Sequence, residues 1–356
     1  MKLSQPKSAR TINTCRVLCA LRSTKNLSKA EISRLLNLNK VSSGEIVDDL
    51  VQKGLVRETG KMEVSNGRRP TTLSIAYDSR YVLGVDVGRY SSSVALCDLN
   101  AGVVKVERIP TPHDCSVEEF CVGILKSCVR TLKLVQPESL LGAGITVDGQ
   151  ISADGRTIVS AEVLPWTDIP VAQVFEKTLG CSVTVGNRTA ALVNAEKQED
   201  PLVSGQENLM YLNWSESISL ANVSFGHVWS VSSEFGRMQI GENENLVDVC
   251  GAASLGAGEQ VRMKEVWPDV RENVFVSMAK ALRVAYRITG TTDVIIGGEG
   301  ATLTEPCLDA IRERCPALRI NRSCMGDRAF IKASAELALD RFFYNSSMLE
   351  DMKDWM

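Results

Sequence analysis

The chain has 356 residues, 44% of them hydrophobic and 23% charged, and a net charge of −3. At about 150 residues per domain this length fits two or three domains, and the composition argues against a mostly disordered chain. No run approaches the ~18 consecutive apolar residues of a membrane span, and the start at Met1 lacks the apolar core of a secretory leader. The expectation is a cytoplasmic protein with no membrane contact. The 11 cysteines include no C-x-x-C pair and read as reduced, mostly core thiols.

Charge divides the chain. Residues 1–75 carry 14 Lys/Arg against 6 Asp/Glu, a net of +8, whereas the remainder carries 26 against 37, a net of −11. A small basic head on a larger acidic body is the pattern of a polyanion-binding module joined to something else.

The head reads in chain order as three helices and a hairpin. Arg10 to Leu21 repeats apolar residues with a helical period. Ser28 with Glu31 three residues on has capping-box spacing and starts a helix to Leu36 that is expected to bury Ala30, Ile32, Leu35 and Leu36. A third helix, about Lys40 to Lys53, is expected to bury Val41, Ile46, Leu50 and Val51. Gly54 then stands where a left-handed residue ends a helix. Leu55-Val56-Arg57 begins a strand that Thr71 to Ile75 returns, around a tip at Asn66-Gly67-Arg68-Arg69-Pro70. This pattern predicts a winged helix-turn-helix over 1–77 that binds double-stranded DNA. Lys40, Ser42 and Ser43 at the start of the third helix would face base edges, and Arg68 and Arg69 would reach phosphates or the minor groove. Gly44 within that helix allows either close approach to DNA or tight helix packing.

The head resembles the N-terminal winged helix of the ROK family (repressors, open reading frames and kinases), through Leu27-Ser28, Lys53-Gly54-Leu55-Val56 and Gly67-Arg68-Arg69-Pro70. The body is similar to the sugar-kinase fold of the same family. Strands Tyr81–Gly88 and Ser92–Leu99 flank a bend, Asp86-Val87-Gly88-Arg89-Tyr90-Ser91, where the family has the phosphate hairpin Asp-Ile-Gly-Gly-Thr-Lys. Asp148-Gly149 matches the family's Pro-Gly loop, and Leu164-Pro165-Trp166-Thr167-Asp168-Ile169-Pro170 its Trp-x-Asp-x-Pro segment. The resemblance implies a two-lobed actin/hexokinase-like (ribonuclease H-like) α/β fold. Lobe one would cover 78–196 plus a C-terminal helix over 333–350, and lobe two 197–332.

Against the family's pattern the chemistry is missing. Arg188 in Asn187-Arg188-Thr189 occupies the place of the Asp that accepts the sugar's proton, and a guanidinium has no acceptor lone pair. Ser215-Glu216-Ser217-Ile218-Ser219 replaces the second phosphate loop, Gly-Thr-Gly-Ile-Gly, and Glu216 would repel phosphate. Only the adenosine-side turn, Gly297-Gly298-Glu299-Gly300, keeps its glycines. The zinc ligands are replaced by Arg237, Asp248 and Leu255, which leaves one thiolate, Cys250, and one carboxylate, Asp248, where zinc needs four ligands. No catalytic residue, cofactor or metal is expected.

The resemblance leaves Gly149, Asn187, Arg188, Glu234 and Arg237 as ligand-binding candidates. Asn187 and Glu234 suit a neutral sugar; Arg188 and Arg237 suit a sugar phosphate or sugar acid, or pair with Glu216 or Glu234 and bind nothing. The expected function is a DNA-binding transcriptional regulator of carbohydrate-related genes, working as a homodimer or homotetramer with a small-molecule effector. The alternatives are a ligand-independent regulator whose body only holds copies together, and an ATP-dependent sugar kinase.

Overall fold

A computed structural model of the chain describes residues 6–61, 70–111, 116–161, 164, 166–257 and 261–344. The wing-tip arginines Arg68 and Arg69 lie outside these residues, as does 345–350 of the expected terminal helix.

The head contains α1 (Pro6–Ser23), α2 (Lys29–Leu35) and α3 (Lys40–Gln52), followed by an antiparallel pair, β1 (Val56–Lys61) and β2 (Thr71–Ile75). Local chemistry sets the breaks. Ser28 and Glu31 form the reciprocal capping box at the start of α2, with the Ser28 N–H donating to Glu31 at 2.8 Å. Asn39 caps α3 by accepting the Val41 N–H at 2.8 Å. Gly54 leaves α3 at φ +67°, a conformation that favours glycine. The buried faces differ from the expected ones. Ile32 is buried, but Ala30 is exposed and Leu35 is 59% exposed. In α3 the inward stripe is Ser43, Ile46, Val47 and Leu50, whereas Val41 is 68% exposed.

The body holds two sheets of five strands with one shared topology. In the first, β3 (Tyr81–Val87), β4 (Ser91–Asp98) and β5 (Val103–Pro110) form an antiparallel meander. After α4 (Val117–Leu132), β6 (Leu140–Val147) adds parallel to β3. A small antiparallel sheet follows: β7 (Gly149–Ile151), β8 (Ile158–Ala161) and β9 (Thr167–Ile169). Then come α5 (Val171–Leu179) and β10 (Val183–Asn187), which pairs parallel with β6. Helix α6 (Arg188–Glu199) leads through α7 (Pro201–Ser204) into the second sheet, so the lobe junction expected at 196/197 falls inside a continuous helix.

The second sheet repeats the order. Its meander is β11 (Leu209–Trp214), β12 (Ile218–Ser224) and β13 (His227–Ser232). Helices α8 (Leu246–Cys250), α9 (Met263–Val266) and α10 (Glu272–Thr289) intervene. Then β14 (Asp293–Gly297), α11 (Glu305–Arg314) and β15 (Arg319–Arg322) complete it in parallel with β11. Every residue of β6 is buried, as expected of a parallel strand covered on both faces.

Helix α12 (Ala329–Leu339), four residues earlier in its start than expected, ties the parts together. Ala329 and Ala333 pack with α6 and the second sheet. Glycines let its middle approach the first sheet: a Cβ on Gly84 would come within 2.6 Å of Ser334 Oγ, and one on Gly144 within 2.3 Å of the Ser334 carbonyl oxygen. Just beyond its end, a π-helical turn (Asp340–Tyr344) places Phe342 and Phe343 in one apolar cluster with Val17, Leu18 and Leu21 of the head. There the Arg22 guanidinium pairs with Glu336 and sits 4.3 Å from the Tyr344 ring centroid. Head and first sheet therefore share one core.

Candidate functional site

The cleft between the sheets is narrow and is lined by Asp86, Gly88, Tyr90, Arg188, Glu216, Glu299 and neighbouring residues. Its floor is the C-terminal ends of β3, β6 and β10. There, side chains from both sheets meet where α6 begins.

Arg188, the first residue of α6, is only 2% exposed. Its Nε donates to Asp86 Oδ1 at 2.9 Å and its Nη1 to Asp148 Oδ2 at 2.7 Å. Nη2 donates to the Val87 carbonyl, and the Phe330 ring of α12 lies 5.0 Å from the guanidinium carbon. Thr146 Oγ1 donates to Asp86 at 3.0 Å, and Ser217 Oγ, from the second lobe, donates to Asp148 at 2.7 Å. Asp148 Oδ1 is buried without a hydrogen-bond partner. Burial alone would push the Arg188 pKa down, but Asp148 and Asp86 more than offset it, so the guanidinium stays protonated. Burial raises the Asp86 carboxyl above its ordinary 3.8, with Arg188 opposing.

Glu216 fills the phosphate hairpin. Its Oε2 accepts the Arg89 N–H at 2.6 Å and its Oε1 the Tyr90 N–H at 3.4 Å. Those are backbone amides of the turn between β3 and β4, the bend that resembles the family's phosphate hairpin. Burial raises the Glu216 carboxyl above its ordinary 4.5, partly countered by Arg188 and by the two amides. The two backbone donors of this turn are thus occupied by the carboxylate.

The adenosine-side glycines have internal reasons. A Cβ on Gly297 would lie 1.9 Å from the Tyr211 hydroxyl, and Gly298, at φ +63°, would meet Asn213 and Ser215 at 2.2 Å. Gly149 is likewise required by the fold, since its Cβ would meet the Ser160 carbonyl oxygen at 2.1 Å.

On the sugar side, Asn187 caps α6, accepting the N–H groups of Thr189 (2.9 Å) and Ala190 (3.1 Å), and donates to Gly149 O (2.9 Å) and Ser233 Oγ (3.2 Å). Glu234 and Arg237 pair with each other at 3.4 Å, with side chains 59% and 64% exposed. The structure thus joins Arg188 to Asp86 and Asp148, not to Glu216 or Glu234. Residues at the zinc position do not form a ligand set. Asp248 accepts the Asn245 N–H at 2.8 Å, Arg237 is cationic, and the buried Cys250 thiol, its pKa pushed up by burial to about 12, donates to Val274 O.

Asp148 and Asp86 as partners of Arg188 were not singled out by the sequence. The available signal was a pair of departures of opposite sign: carboxylate at 148 where the family has proline, cation at 188 where it has carboxylate.

In the head, the first turn of α3 presents Lys40, Val41 and Ser42 to solvent. Ser43 is a correction: it is 1% exposed and donates to Lys40 O at 3.3 Å, so it faces the head's core and not a base edge. A Cβ on Gly44 would meet nothing within 4 Å, which removes tight packing within the chain as the reason for that glycine.

Comparison with known proteins fits these features. Residues 82–254 match the ROK family. The xylose repressor of Caldicellulosiruptor bescii is 26% identical over 256 residues, covering 70% of this chain and 63% of that protein. The xylose repressor of Bacillus subtilis is 24% identical over 249 residues, covering 68% and 64%. The chain thus spans somewhat less than two thirds of these relatives' length. Among solved structures, a ROK family transcriptional regulator described as a homologue of the E. coli MLC protein superposes with TM-score 0.79 at 16% identity, covering 98% of this chain and all of that one. A ROK family glucokinase from Streptomyces griseus, solved with glucose and AMPPNP, superposes with TM-score 0.62 at 16% identity over 73% of this chain and 99% of that one. No described helix is long and apolar enough to cross a membrane.

Proposed function

We propose that this chain, a member of the ROK family, is a DNA-binding transcriptional regulator whose kinase-like body performs no phosphoryl transfer. The observation that carries the reading is the pairing of a basic head, whose capped α3 offers Lys40, Val41 and Ser42 to solvent, with a cleft whose base position is a buried, doubly paired arginine. In the winged helix-turn-helix reading, α3 enters the major groove. Lys40 and Ser42 reach base edges or phosphates, and Val41 offers an apolar contact for a thymine methyl. Arg68 and Arg69 act at the wing.

The genes controlled concern carbohydrate use, as the names of the relatives suggest, and a homodimer or homotetramer brings two heads to paired half-sites. The effector region is the sugar side of the cleft, near Gly149, Asn187, Glu234 and Arg237. Arg188 is already matched by two carboxylates, which favours a neutral hydroxylated ligand over an anionic one at that position. Signal passes along α12, whose Phe330 touches Arg188 and whose Glu336 holds Arg22 of the head. A ligand that prefers one lobe spacing would bias the head through that helix. The regulator without an effector remains the second reading, favoured by the internal satisfaction of Asn187 and Arg188.

Electrophoretic retardation of fragments from the organism's own promoters tests the function. Binding by the natural chain, weakened in Lys40→Ala and in Arg68→Ala/Arg69→Ala, is the expected outcome. Coupled ATP-turnover assays across a sugar panel test the body, and turnover abolished by cleft substitutions would reinstate the kinase.

A further inference from the structure

Among the described residues, one group of side chains outside the cleft has the composition of a metal site: Glu196, Asp200 and Cys324. Each brings one ligand atom, a carboxylate oxygen or a sulfur, and these atoms all lie within 4.8 Å of one another. The fold sets that spacing. Glu196 and Asp200 stand four residues apart, in the last turn of α6 and at its C-cap, so they share a face. Cys324 lies in the loop between β15 and α12.

Glu196 is fully buried. Its Oε2 accepts from Ser323 Oγ and its Oε1 accepts the Cys324 N–H at 3.0 Å. These are neutral donors, and Lys332 pairs with Glu199 instead, at 2.5 Å. Burial, Glu196, Asp200 and Glu199 together hold the Cys324 thiol up to about 11. Of these three carboxylates only Glu199 is salt-bridged, so the group carries an excess of negative charge.

A second feature points to a ligand at the same place. The Tyr211 side chain is fully buried and its hydroxyl has no hydrogen-bond partner, a state that costs free energy unless something polar meets it. Gly297 leaves the hydroxyl a path across β14, since a Cβ there would lie 1.9 Å from it. Next to that path is Ser323, whose N–H donates to Ile296 O at 2.9 Å and whose hydroxyl holds Glu196. Burial raises the Tyr211 pKa well above 10, and Glu196 and Cys324 add to the rise, which sets the hydroxyl beside this group.

We infer that Glu196, Asp200 and Cys324 bind one thiophilic divalent ion of the zinc class, with water as its fourth ligand. A thiolate in the set selects such an ion over magnesium or calcium, and zinc accepts three protein ligands with an open fourth position. Ligand atoms on one zinc lie about 3–4 Å apart. Asp200 and Cys324 are not buried, so rotation of their side chains closes the site. Binding replaces the thiol proton, which passes to solvent. The ion ties the end of α6 to the loop that leads into α12, and it gives the Tyr211 hydroxyl a polar neighbour. None of these residues belongs to the zinc position of the family's pattern.

The test uses the full chain, reduced and stripped with a chelator, then titrated with Co²⁺ and afterwards with Zn²⁺. The expected result is one Co²⁺ per chain with a thiolate-to-cobalt charge-transfer absorption, displaced by one equivalent of Zn²⁺. Cys324→Ser should abolish the absorption, and Asp200→Asn should weaken Zn²⁺ binding about tenfold or more. Cys19→Ser, at the other exposed thiol among the described residues, should change neither. Circular dichroism confirms that each variant is read as folded protein. Absorption that survives in Cys324→Ser, or a natural chain that retains no Zn²⁺ against a weak chelator, would overturn the inference.

Discussion

Two arginines are buried against carboxylates at the two junctions of this molecule, and they are balanced differently. Arg22 joins head to body with one hydrogen-bonded carboxylate, Glu336, an aromatic ring, Tyr344, as its cover, and the exposed Asp340 close enough to feel its charge. Arg188 joins the ends of three strands with two carboxylates, Asp86 and Asp148, and a third, Glu216, close enough to act on it. The first is one buried ion pair embedded in apolar contacts. The second is a cation in an excess of anions, at the bottom of a cleft. The second cluster depends on its single buried cation, because Asp86 and Asp148 have no other positive partner among the described residues within hydrogen-bond reach.

The largest expected effect comes from removing that cation. Arg188→Met leaves Asp86 and Asp148 buried without compensation and should cost about 3–5 kcal/mol in urea unfolding. Adding Asp148→Asn should restore only part of it, since Asp86 remains. Arg22→Met should cost about 3 kcal/mol by the same mechanism, but here Glu336→Gln on the same chain should restore most of the loss because the other carboxylate that feels Arg22, Asp340, is exposed to solvent. Equal rescue in the two pairs, by double-mutant cycles, would erase the distinction between the junctions.

Next in size is Glu216. Glu216→Gln keeps an acceptor for the Arg89 and Tyr90 amides and should cost about 1 kcal/mol or less at neutral pH. Its signature is pH dependence. Burial raises the Glu216 carboxyl above its ordinary 4.5, so the folded state binds the proton more readily than the unfolded one. The contribution of Glu216 to stability is then fully present below that ordinary value and lost as pH rises through the raised folded value. Urea midpoints followed upward from pH 4.5 should fall less steeply in Glu216→Gln than in the natural chain. Parallel curves would show that Glu216 is not held in a desolvated site. The smallest effect is expected at Gly44→Ala, which should stabilise α3 by about 1 kcal/mol, because the new methyl meets nothing within the chain, while weakening DNA binding. Tighter folding with unchanged DNA affinity would leave that glycine without a role at the interface.

Much of this architecture was legible in the sequence because it is written in local chemistry. Ser28 with Glu31, and Gly54, mark helix ends, and both lie where the structure has them. The strands expected at Tyr81–Gly88 and Ser92–Leu99 form as Tyr81–Val87 and Ser91–Asp98. The errors in the head were of rotation. Ser43 stands at the start of α3, but Ile46, Val47 and Leu50 follow it at three, four and seven residues, so it shares their inward stripe, and Val41 points out. That signal was present; polarity obscured it. The cleft was illegible for another reason. Arg188 lies 102 residues from Asp86 and 40 from Asp148, and no local period relates them. A single sequence reveals that an arginine has displaced the base but not which carboxylates receive it.

If the basic front of the chain grips duplex DNA, fluorescence anisotropy of the full chain on a promoter fragment, followed from low to physiological salt, will show it. Affinity should fall steeply as a straight line in log–log form, and the slope should shrink by about one for each phosphate contact removed, as in Lys40→Ala. A chain that fails to bind duplex even at low salt, or binds it with no dependence on salt, would contradict the account.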